Sequence, residues 1–78
     1  MKKIKVRINQ FEEVGRFVNI IDRMIGDVDL KCGCYIVDAR SVVGVATLAG
    51  GRVLELCIHQ QQDLVIEQQL LPFTCNAA

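Results

Sequence analysis

The hydrophobic period changes abruptly near residue 9, and that change restricts the fold more than any other feature of the chain. Ile4, Val6 and Ile8 alternate with Lys3, Lys5 and Arg7, the period of a strand with one face buried and a basic face in water. From Phe11 onward the apolar residues recur every three or four positions: Phe11, Val14, Val18, Ile21 and Ile25, with Phe17 and Met24 widening the stripe. That is the buried side of a helix. Alternation returns at Val28, Leu30 and Cys32 against Asp27, Asp29 and Lys31, so a second strand follows at once. Asn9 is placed to cap the helix, with Glu12 three residues on as its reciprocal partner. Gly26 supplies a left-handed stop after Ile25.

Gly33 interrupts the second strand between Cys32 and Cys34, and Tyr35 to Asp38 reads as the return strand of a tight hairpin. Ser41 can cap a short helix carrying Val42, Val43, Val45, Ala46 and Leu48. Its valines and Gly44 are weak helix formers, so this segment needs tertiary packing. Ala49, Gly50 and Gly51 form a loop, and Arg52 to His59 is the most apolar strand, as expected of one with neighbours on both sides. After Gln60 to Gln62, Asp63 caps a last helix through Leu64, Val65, Leu70 and Leu71, closed by Pro72. FTCNAA is expected to be a loose tail. The order is β-α-β-β-α-β-α in one domain, residues 1–78, and such a mixture argues for an α+β fold with an antiparallel sheet covered on one face by helices.

Hydrophobic residues make up 51% of the chain but only four are aromatic, so the core is expected to be aliphatic. Nine basic and nine acidic side chains give zero net charge, which leaves no broad field to hold a nucleic acid or an anionic membrane surface. The N-terminus alternates charge with apolar residues and so lacks the apolar core of a signal peptide. No apolar run approaches the roughly 20 residues of a membrane span. A cytoplasmic protein with its four cysteines reduced is the expectation. No cofactor is expected.

The segment DARSVVGVATLAGG, Asp38 to Gly51, with the preceding DVDLKCGCYIV, resembles the second half of the phosphocarrier protein HPr family. There a strand pair leads to an Arg/Lys-Ser dipeptide and a short apolar helix. The match is best from Asp27 to Leu48, and RSVVGVATL is its most specific part. The resemblance implies an open-faced β-sandwich, a four-stranded antiparallel sheet in spatial order 1-4-2-3 with three helices on one face. In that family a histidine just after the first strand, in a Gly-apolar-His-Ala-Arg-Pro run, accepts a phosphoryl group at the start of the first helix. Counting back from Ser41 without gaps puts Gln10 at the His, Phe11 at the Ala, Glu12 at the Arg and Glu13 at the Pro. None matches. An amide is no phosphoryl nucleophile at neutral pH, and the two carboxylates would repel a phosphate there and can themselves satisfy the helix dipole.

The resemblance therefore implies a non-catalytic relative within the phosphoenolpyruvate-dependent sugar phosphotransferase system, acting in regulation or protein binding. Its partners would be proteins of that system or kinases of the HPr type. The implied contact surface is Arg40, Val42, Val43, Ala46 and Leu48, and Ser41 matches the family's regulatory phosphoserine. A phosphocarrier with a displaced acceptor is the alternative, with His59, the single histidine, as its substitute. His59 has no adjacent arginine and reads better as a strand-end residue.

Cys32, Cys34, Cys57, His59 and Cys75 also invite a metal or redox module. C-x-C is not the usual zinc spacing. In the implied topology Cys34 and His59 lie about 15 to 20 Å apart, at opposite ends of a strand. No metal site is expected.

Overall fold

The computed structural model describes residues 1–75. β1 (Lys2–Arg7), α1 (Glu13–Asp22), β2 (Val28–Cys32), β3 (Tyr35–Asp38), α2 (Val42–Leu48), β4 (Val53–Ile58) and α3 (Leu64–Gln68) follow in the expected order, and a 3₁₀ turn at Leu71–Phe73 is added. The four strands form one antiparallel sheet in the order β1-β4-β2-β3. This is the α+β architecture expected, and alternation places its side chains. Ile4 and Leu30 flank Leu56, while Val6 lies opposite Leu54 and Val28 opposite Ile58, all on the face that the helices cover. Lys3, Lys5, Lys31, Asp29 and Glu55 occupy the other face.

α1 departs from its expected limits at both ends. It starts at Glu13, after a turn in which the Glu13 and Val14 amides donate to Gln10 O and Phe11 O. Phe11 consequently projects into solvent, 70% exposed, and Ile25, beyond the helix end, is 59% exposed. The buried stripe is Val14, Phe17, Val18, Ile20 and Ile21, with Met24 following. Asn9 is not the cap. The Glu13 carboxylate instead reaches back to accept from the Asn9 and Gln10 amides at 3.2 and 3.0 Å, which is the acidic half of a capping box shifted by one residue. Gly26 does adopt a left-handed φ of 75°, but four residues past the helix. A Cβ there would lie 2.7 Å from the exposed Gln60 side chain, which would have to move aside, and the φ itself favours glycine.

Gly33 is the left-handed residue of the two-residue turn closed by Cys32 and Tyr35. α2 begins where expected, with the Ser41 hydroxyl accepting from the Gly44 amide at 3.1 Å. Gly44 also lets the helix approach β3, since a Cβ would meet that of Val37 at 3.1 Å. The last helix is shorter than expected. Asp63 caps it through the Val65 amide at 2.8 Å, but it ends at Gln68 and leaves Leu64 and Val65 exposed. Leu70 and Phe73 enter the core from the turns that follow.

FTCNAA is therefore not wholly a loose tail. Phe73 meets Phe17 edge-on, with ring centroids 5.4 Å apart, a favoured aromatic geometry. Thr74 bridges to Val6, and the Cys75 amide donates to Lys5 O at 3.0 Å. Residues 76–78 of that segment lie outside the described residues. Among the described residues, no helix is long and apolar enough to cross a membrane.

Candidate interaction site at helix α2

The chain leaves β3 through a turn that sets up Ser41. The Asp38 carboxylate accepts from the Arg40 amide at 2.9 Å, and the Asp38 carbonyl accepts from the Ser41 amide at 3.0 Å. Ala39 between them is fully buried and pairs with Val28. Ser41 is thereby held in an extended conformation at the surface, its hydroxyl aimed at the first turn of α2.

Spacing then decides which side chains of α2 face outward. Val45 and Leu48, three apart, share the inner face and are buried, whereas Val42 and Val43 are 50% and 76% exposed. Ala46 is half-buried. Of the expected contact residues, Val42 and Val43 are thus presented to solvent, while Leu48 is a core anchor and is removed from that set. Arg40 is also engaged internally. Its guanidinium donates to Met24 O at 2.6 Å, holding the segment after α1 instead of facing an incoming anion.

The Gln10 turn, where the resemblance would put a phosphoacceptor, lies beside the other end of α2. The Gly50 and Gly51 amides both donate to Ile8 O at 2.9 Å, which ties the α2–β4 loop to the start of the Gln10 turn. Ser41 is separated from that loop by the seven-residue helix, about 10 Å. Asn9, Gln10, Glu12, Glu13 and Arg16 line a shallow cavity of about 410 Å³. A phosphate at a helix start is held by free backbone amides. Here the Asn9 and Gln10 amides already carry the Glu13 carboxylate. The sequence offers both effects, repulsion of a phosphate and satisfaction of the helix start by Glu12 or Glu13; the structure gives the second role to Glu13, through the Asn9 and Gln10 amides. Arg16 was not among the expected site residues, although it falls three residues after Glu13 and so on the same helix face.

His59 stands at the far end of the sheet from Gln10. Its Nε2 lies 2.9 Å from Asp29 Oδ2, and the β1–β4 register runs from Arg7↔Val53 near Gln10 to Lys2↔Ile58 near His59, about 20 Å along the strand. The cysteines are scattered too. Cys34 is exposed in the β2–β3 turn, Cys32 and Cys75 are half-buried, and Cys57 is buried opposite Asp29. Burial first, and then the Glu55 carboxylate 3.8 Å away, push the Cys57 thiol up from its ordinary value, the reverse of nucleophilic activation. Among the described residues, no three His, Cys, Asp or Glu side chains are grouped to hold a metal ion.

Compared with known proteins, the chain matches no family model, no curated protein and no solved structure.

Proposed function

We propose that this chain is a non-catalytic HPr-like domain of the sugar phosphotransferase lineage that acts by binding protein partners through the start of α2. The exposure of Val42 and Val43 directly after the capping Ser41 carries this reading. Two β-branched apolar side chains on the outside of a helix anchored by Val45 and Leu48 add nothing to the core and offer a rigid apolar contact. The Glu13 carboxylate on the Asn9 and Gln10 amides supports the absence of phosphoryl chemistry at the matching site. Within the surface, Ser41 is the position a partner kinase would address, since the residue is exposed and, among the described residues, the cap is the one hydrogen bond of its hydroxyl. Such a protein works in the cytoplasm, where thiols stay reduced.

The test uses the general phosphotransferase enzyme and an HPr-type kinase as titrants. Binding to at least one, weakened about tenfold or more by Val43→Glu, with no label transferred from phosphoenolpyruvate, is expected. Binding unaffected by Val43→Glu would remove α2 as the contact. A phosphohistidine at His59 would replace this proposal with a displaced phosphocarrier site.

A further inference from the structure

The two edges of the sheet are finished differently. On the β1 edge the Cys75 amide bonds Lys5 O and Thr74 bridges Val6, and the strand carries Lys3 and Lys5. Both features discourage pairing with another chain. Among the described residues, β3 has no such protection. It is the sequence Tyr-Ile-Val-Asp, with Tyr35 68% and Ile36 60% exposed, and it holds no lysine, proline or bulge.

The register fixes which backbone groups of β3 are free. Tyr35 closes the two-residue turn opposite Cys32, and Val37 lies opposite Leu30. These are the residues whose amides and carbonyls face β2, and the Ala39 amide bonding Val28 O continues the series. The N–H and C=O of Ile36 therefore point away from the sheet. Asp38 points the same way, but its carbonyl is taken by the Ser41 amide. Ile36 alone in β3 presents both a donor and an acceptor to the open side.

We infer that two copies of this chain pair through β3, antiparallel about a two-fold axis at Ile36, so that one sheet continues across both molecules. Around that axis Ile36 exchanges both backbone hydrogen bonds with its counterpart. Tyr35 falls opposite Val37 of the second copy, an aromatic and β-branched cross-strand pair made twice. The single charge of β3, Asp38, falls opposite Cys34, so no like charges meet. The interface is isologous and closes at two. A four-residue edge is small against the roughly 1,200 Å² at which standard specific interfaces begin. The dimer accordingly forms as concentration rises instead of being permanent.

Sedimentation velocity on the full chain from about 10 μM to about 1 mM reads this directly. The weight-average mass should climb from 8.7 kDa toward twice that value. Ile36→Lys and Ile36→Pro should stay at the monomer mass with a parent-like circular dichroism spectrum, because the Ile36 amide serves no bond inside the sheet. In a Cys34→Ser background, Ile36→Cys should cross-link the dimer on mild oxidation, as directly opposed residues of a hydrogen-bonded pair lie about 5.5 Å apart, within disulfide reach. The Cys34→Ser protein alone should not cross-link. A parent that stays monomeric at the highest concentration overturns the inference, as does a dimer that survives both Ile36 variants or an Ile36→Cys protein that fails to cross-link.

Discussion

Gln62 is nearly buried, and every polar atom of its amide is used. Its oxygen accepts from the Ile25 amide at 2.8 Å, while its nitrogen donates to Ile25 O at 2.6 Å and Gln60 O at 3.0 Å. One side chain thus joins the loop after α1 to the loop after β4. Gln62→Leu would leave both Ile25 backbone groups without partners, and a loss of about 1–3 kcal/mol is expected in chemical denaturation. Nothing in the run Gln60 to Gln62 distinguishes this glutamine from its neighbours, because the distinction is made by Ile25, 37 positions away. Cys57 gives a pH-dependent counterpart. Its thiol is held above the ordinary value of 9.0 by burial, then by Glu55, so the unfolded chain ionises first as pH rises. The contribution of Cys57 to stability is constant below about pH 9 and falls as pH climbs from there toward the folded-state value. A Cys57→Ala comparison in an alkaline denaturation series checks the sign: the variant should show a weaker alkaline decline.

Helix α2 is short, rich in valine and interrupted by Gly44, so its cap and its packing do most of the stabilising. Ser41→Ala should cost about 1 kcal/mol, and Ser41→Asp should be nearly neutral, since Asp caps equally well. Thermal melts of the two variants distinguish a cap from an idle surface serine. The C-terminal segment poses the opposite case, an element unrecognised in the sequence because FTCNAA has no period to read. Its order comes from Phe73 against Phe17 and from two contacts with β1. Phe73→Ala should therefore destabilise by about 3–5 kcal/mol, far outside the range of a change in a disordered tail, as measured by urea midpoint. For α1 the three-and-four spacing identified the helix correctly but carried it too far at both ends, because Phe11 and Ile25 keep the spacing outside the helical residues.

At the scale of the molecule, the register separates the groups from which a metal or redox module would be built. His59 sits beside the start of β2 through its amide bond to Asp27 O, and Cys34 lies in the turn past the end of β2. A melting temperature unchanged by chelator, with no stoichiometric zinc in the purified protein by elemental analysis, is the expected outcome. A large drop on chelation would overturn the reading of the cysteines as packing and surface thiols.

The changes of period between strand and helix, the hairpin at Gly33 and the cap at Ser41 are properties of neighbouring residues, which is why the sequence alone determined the element order; the sheet order was expected from the resemblance, and the structure has it. Tertiary structure decided which surface was left over. It turned Leu48 inward and Val43 outward, and spent the Arg40 guanidinium on Met24 O. These outcomes depend on the rotation of each helix over the sheet and on groups brought together by folding, and periodicity along the chain carries no record of either.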